Sequence, residues 1–135
     1  MHAASMSMGL SAGLGLLMVA AAVWFTTAAN AKEGAQPSSF AGIRTARTTA
    51  SPKAWVAGHR AALPAARRLS LFSAVMAVVL VLTPALGGEG DAPNAATWAA
   101  FIIGFGGVTV GAFMLASVAG RGAAEADGRG PHRRR

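Results

Sequence analysis

The chain has 135 residues, 53 % of them hydrophobic and only 13 % charged, with 12 Lys+Arg against 5 Asp+Glu for a net charge of +7. A soluble domain carries about 25 % charged residues, so this composition points to a membrane protein in which basicity and apolarity are segregated along the chain. The absence of cysteine excludes disulfides, thiolate metal sites and cysteine nucleophiles.

From Ala3 to Ala31 there is no Asp, Glu, Lys, Arg or His, and the densest apolar part, residues 8–29, predicts a first transmembrane helix. Ala29-Asn30-Ala31 has the small-x-small pattern of a signal-peptide cleavage site. No Lys or Arg precedes the run, however, and it exceeds the roughly 7–15 apolar residues of a signal peptide, so the expectation is a retained helix. Gly9 and Gly13 form a GxxxG within it.

The connector, residues 30–68, starts with a polar linker from Lys32 to Ser39 and continues through Phe40-Ala41-Gly42-Ile43-Arg44-Thr45. Ser51-Pro52 reads as a helix start, Ser as N-cap and Pro at the first helical position. That helix is expected to end near Leu63, before Pro64. Trp55, His59 and Ala62 share one face of it, with Lys53 and Arg60 off that face. Such a helix suits the membrane interface, with Trp55 as an anchor.

Residues 69–86 form a second uncharged run, roughly 27 Å long as a helix. It just suffices to span the bilayer, helped by Arg67 and Arg68 reaching the headgroups. Pro84 falls in its last turn. A short loop with Glu89 and Asp91 leads to a third run, residues 98–119. In it Ala100, Gly104, Gly107 and Gly111 recur at helical spacing and form a small-residue stripe for close helix packing. Packing inside the three-helix bundle is the expected use of the stripe; pairing of two copies into a homo-oligomer is the alternative. The tail, residues 121–135, is Gly-, Ala- and Arg-rich and expected to be disordered, touching anionic lipid rather than nucleic acid.

Seven basic residues of the connector (Lys32, Arg44, Arg47, Lys53, Arg60, Arg67, Arg68) face Glu33 alone, and the tail carries five Arg. Lys/Arg-rich short loops stay cytoplasmic. The expected topology is therefore N-terminus outside, connector inside, Glu/Asp loop outside and C-terminus inside. No ionisable residue falls within the three runs, which disfavours a pump, a transporter or an intramembrane hydrolase. The lone connector His59, with no second His, Asp or Cys near it, is a poor metal or catalytic candidate, so no cofactor is expected.

Gly42-Ile43-Arg44-Thr45, then Thr48 or Thr49, Ser51, Trp55 and His59, with Arg60-Ala61-Ala62 following, resemble the motif of the SdpI family, membrane proteins that give bacteria immunity to a sporulation-delaying peptide toxin. Ser38 and Phe40 stand where that family often has Asn and Trp. The resemblance implies an all-α integral membrane protein, a single three-helix module over residues 1–120 with an amphipathic cytoplasmic loop helix between helices 1 and 2. It also implies a non-enzymatic role in the bacterial cytoplasmic membrane, with a peptide toxin or a protein partner as ligand. Gly42, Arg44, Thr45, Ser51, Trp55 and His59 are then candidates for a partner-binding pocket, and Gly104, Gly107 and Gly111 for helix packing. The alternatives are an accessory subunit docking through the glycine stripe of helix 3, or a small oligomeric transporter.

Overall fold

The computed structural model describes residues 3–87 and 92–128, and among these there is helix and loop but no strand. Helix α1 is Ala3–Asn30, α2 is Pro52–Leu82 and α3 is Ala95–Ala126. A 3-10 turn, Thr48–Ala50, precedes α2, and another, Thr83–Leu86, continues it. All three helices are long and apolar enough to cross a membrane, where a helix satisfies every backbone group within its own segment.

The ends of the helices follow from local chemistry. Ser51 Oγ accepts the Ala54 N–H at 3.0 Å and Pro52 takes the first helical position, so α2 starts where the sequence places it. At α3 the Asn94 side chain caps, its Oδ1 accepting the Thr97 N–H at 2.8 Å. Gly87 and Gly128, both at positive φ, follow the last turns.

Two expectations are corrected. There is no separate loop helix ending before Pro64, because α2 runs unbroken from Pro52 to Leu82. Pro64 forfeits only the bond to the Arg60 carbonyl, at a cost of about 3 kcal/mol in a helix interior. Pro64 and Arg60 are exposed, so water can reach that carbonyl, while Ala62 and Ala66 on the opposite side are fully buried and hold the helix. Nor does the tail begin at 121: α3 continues to Ala126, because Ala119 and Ala123 are fully buried against α2. The tri-arginine end lies outside the described residues.

Apart from Phe40, every exposed large apolar side chain among the described residues lies within Met6–Phe25 of α1, Leu71–Leu86 of α2 and its 3-10 turn, or Trp98–Met114 of α3. At about 1.5 Å per residue these stretches measure roughly 24–30 Å, the thickness of a hydrocarbon core. The exposed residues beyond them, such as Arg60, Arg67, Arg68 and Arg121, are polar or small.

The chain divides into two compact units, Met1–Ala21 with Leu69–Val110 and Ala22–Arg68 with Gly111–Arg135. The first has a core of Ala12, Leu16, Ala77, Leu80 and Ala100, flanked by Met76, Phe101, Phe105 and Val108. Glycines set its spacing. A Cβ on Gly9 would strike the Leu80 carbonyl, one on Gly13 would stand 3.0 Å from the Ala77 carbonyl oxygen, and one on Gly107 would enter the Phe72 ring at 2.5 Å. Gly104 faces Leu16 and Met76. The stripe residues Ala100, Gly104 and Gly107 are thus engaged inside this unit; Gly111 belongs to the second unit and is half-buried. A buried polar knot ties the chain together: Asn94 N–H donates to Ser5 Oγ (2.9 Å), Asn94 Nδ2 to the Thr83 carbonyl (3.1 Å), and Thr97 Oγ1 to Thr83 Oγ1 (3.1 Å).

Candidate functional site

The motif residues gather in the second unit, where the loop after α1 folds onto the first two turns of α2. Trp55 and His59, one turn apart, are both fully buried, with ring centroids 4.3 Å apart. Trp55 Nε1–H donates to Asn30 Oδ1 at 2.9 Å, fastening the last residue of α1 to α2. Asn30 is fixed in turn by its own Nδ2 bond to the Thr26 carbonyl at 2.8 Å.

The loop lies over this ring pair at Gly42. Its φ is +108°, and a Cβ there would stand 2.7 Å from both His59 Nε2 and Trp55 Cζ2. Only glycine meets both demands without strain. The next residue supplies the central bond: the Ile43 N–H donates to His59 Nε2 at 2.7 Å. An acceptor at Nε2 has no proton, so the ring carries its hydrogen on Nδ1, which donates to the Trp55 carbonyl at 2.8 Å. Burial pushes the His59 pKa below its ordinary 6.5, against the smaller opposing pull of the Trp55 carbonyl. His59 precedes Arg67, Arg68 and the apolar part of α2.

Of the two candidate threonines, Thr48 is the structural one. It is fully buried; its hydroxyl donates to the Ile43 carbonyl at 2.7 Å and accepts the Thr45 N–H at 2.9 Å. Thr45 Oγ1 accepts the Thr48 N–H at 3.1 Å in return. Thr49 is exposed. Ser51 has a double role, since beyond capping α2 its hydroxyl donates to Asp127 Oδ1 at 2.9 Å. Gly58, buried beside His59, lets α3 approach closely: a Cβ there would meet the Ala119 carbonyl oxygen and Thr48 Cγ2, both at 2.8 Å. Gly122 closes the same contact against Ala61 and Ala57.

Arg44 goes the other way. It is exposed, and its Nη1 donates to the Ser39 carbonyl at 3.0 Å. Ser38 Oγ accepts the N–H groups of Phe40 (3.1 Å) and Ala41 (3.2 Å), closing a turn that leaves Phe40 98 % exposed. The six candidates therefore do not form one open pocket. Gly42, Thr45, Ser51, Trp55 and His59 are internal fastenings, and Trp55 is packed within the protein rather than standing as an interface anchor. A cleft of about 410 Å³ opens nearby, lined by Glu33, Gln36, Lys53, Val56 and Arg60 among others. Arg60 Nη2 also donates to the Ala31 carbonyl at 3.3 Å, a cation at the C-terminal end of α1.

Sequence reasoning missed Asn30, Asp127, Gly58 and Gly122. Asn30 stands out in the sequence only as the middle position of a small-x-small pattern, and Asp127 falls in the expected tail. Gly58 and Gly122 carry no local signal, because what demands them is a partner helix distant in sequence. Among the described residues no group of His, Asp or Glu could hold a metal ion.

No curated protein and no solved structure significantly matches the chain. The family model described as the SdpI/YfhL protein family matches residues 35–117, taking in the loop from Ala35 onward, all of α2 and much of α3. With three membrane-capable helices and that match, the chain belongs to the SdpI/YfhL family of multi-pass membrane proteins.

Proposed function

We propose that this protein is a non-enzymatic component of the bacterial cytoplasmic membrane that counters a membrane-active peptide toxin, with the N-terminus outside and the motif loop and C-terminus in the cytoplasm. In this reading the lipid-facing helices meet the toxin, and the motif loop presents Phe40 and Arg44 to a cytoplasmic protein partner. The observation that carries it is the use of the motif itself. Its reactive or hydrogen-bonding side chains are tied to the chain's own backbone and to Asn30 and Asp127, which suits display of a fixed surface and not chemistry on a substrate. The same loop displays Phe40, 98 % exposed, and the exposed Arg44, which donates to the carbonyl of the neighbouring Ser39, and aromatic and Arg residues are enriched in protein interfaces.

The test is a deletion strain challenged with toxin-producing neighbours. Restored wild-type protein is expected to restore survival, and Phe40→Ala with Arg44→Ala, at equal membrane abundance, to lose most of it. Equal survival with and without the gene removes the immunity reading, and full activity of the double variant removes the loop from it.

A further inference from the structure

We propose that His59 is a proton-operated latch on the motif loop: a proton taken up at Nε2 when the loop opens removes the acceptor of the Ile43 N–H and keeps residues 38–45 released from α2. The argument is one of hydrogen-bond polarity. Nε2 is the acceptor of the Ile43 N–H at 2.7 Å, and Nδ1–H already donates to the Trp55 carbonyl. A proton from solvent occupies the Nε2 lone pair, leaving two N–H donors face to face, and the loop amide loses its partner. The bond on the Nδ1 side is unaffected, so the change falls on the loop and not on α2.

The surroundings offer the imidazolium no compensation. Both ring nitrogens are taken by backbone groups, so neither has a carboxylate partner. The charged residues on the elements packed around it are Lys53, Arg60, Arg67 and Arg68 on α2, Arg44 and Arg47 on the loop, Lys32 and Glu33 after α1, and Arg121, Glu125 and Asp127 on or after α3. Of these all but Asp127 are exposed, and Asp127 is held by Ser51. Trp55 and Gly42 fill the space where water would solvate the cation. Because the ring is fully buried, the proton enters through opening of the loop, and acid acts by trapping the open form. The closed state, which holds the neutral ring, is favoured in full above the ordinary 6.5 of a free imidazole and loses ground as pH falls below it. The open-to-closed ratio then rises by up to about tenfold per pH unit.

The chain has no cysteine, so Phe40→Cys gives a unique attachment point for a nitroxide spin label, in full-length protein in lipid nanodiscs with buffer on both sides. The mobile fraction of its spectrum is expected to grow several-fold between pH 7.5 and 5.0 with a midpoint below 6.5. It is expected to stay low throughout in His59→Gln, whose amide oxygen reaches the Ile43 N–H and does not titrate. His2→Gln and His132→Gln are expected to respond like wild type. A mobile fraction indifferent to pH, or a transition unchanged in His59→Gln, overturns the latch. Nitrogen-15 spectra of the wild-type ring decide the matter should His59→Gln be mobile at every pH. An Nδ1–H neutral ring at pH 7 that charges as the loop is released supports the latch, and an Nε2–H ring or an imidazolium under an immobile loop overturns it.

Discussion

At the scale of single residues, glycine is the part of the motif whose purpose is most sharply defined, because two demands coincide at Gly42. Its φ of +108° disfavours a side chain, and the space above it is already filled by His59 and Trp55. Gly34 separates the two effects: it too has positive φ, +82°, but nothing stands within 4 Å of an added Cβ. Gly42→Ala is expected to cost about 2–4 kcal/mol, combining backbone strain with overpacking. Gly34→Ala is expected to cost about 1 kcal/mol, from strain alone. Thermal unfolding in mild detergent, read side by side for the two variants, checks this, and equal losses would show that contact with the ring pair adds nothing. The sequence could mark Gly42 by its motif but not say why it is glycine, since the reason is a ring pair that begins 13 residues later. The same limit left Thr48 and Thr49 undivided: adjacent identical residues differ only in which of them the turn buries.

At the scale of elements, the three apolar runs were legible because lipid imposes length and charge exclusion on any spanning helix. What was not legible was how far the helices continue past the runs. Sequence rules end a helix at Pro64, and they weigh a local loss of about 3 kcal/mol without sight of what the rest of the helix gains. Here Ala54, Trp55, His59, Ala62, Ala66 and Leu69 form a buried stripe that passes Pro64 on its far side, and the alanines around it are the best helix formers. The tail misreading has the same cause, since Ala119 and Ala123 look like low-complexity sequence until Gly58 is placed beside them. Pro64→Ala tests the continuous helix directly. It restores an N–H to the Arg60 carbonyl and touches no buried group, so it is expected to raise stability by about 1 kcal/mol or more, seen as a higher unfolding midpoint with unchanged helical circular dichroism. Were α2 broken at this point in the membrane, the substitution would instead increase the helical signal.

At the scale of the whole molecule, the question that composition raised is where a net charge of +7 goes in a chain that is 53 % hydrophobic. Each helix keeps its exposed apolar side chains within a stretch of bilayer length, ending at Phe25, starting at Leu71 and ending at Met114, and the exposed arginines lie beyond those limits. Arg67 and Arg68 precede the limit on α2 by four and three residues, close enough for their stems to lie along lipid and their guanidinium groups to meet phosphate. Seven bases in residues 30–68 stand against Glu89 and Asp91 in the second loop, and from such an asymmetry the charge rule predicts that the basic segment faces the cytoplasm. The cysteine-free chain makes the resulting orientation measurable. Gln36 and Ala92 are both exposed, one in each connection, so either can become a lone cysteine with little effect on the fold. A thiol reagent that cannot cross the membrane, added to intact cells, is expected to label Ala92→Cys strongly. Gln36→Cys is expected to react only after the cells are opened. The opposite pattern would place the fastened loop and the seven basic residues of the segment 30–68 outside, against the charge rule, and would remove any cytoplasmic partner from consideration. Labelling of both in intact cells would mean that the chain inserts in two orientations, so that the charge difference between its connections is too small to decide between them.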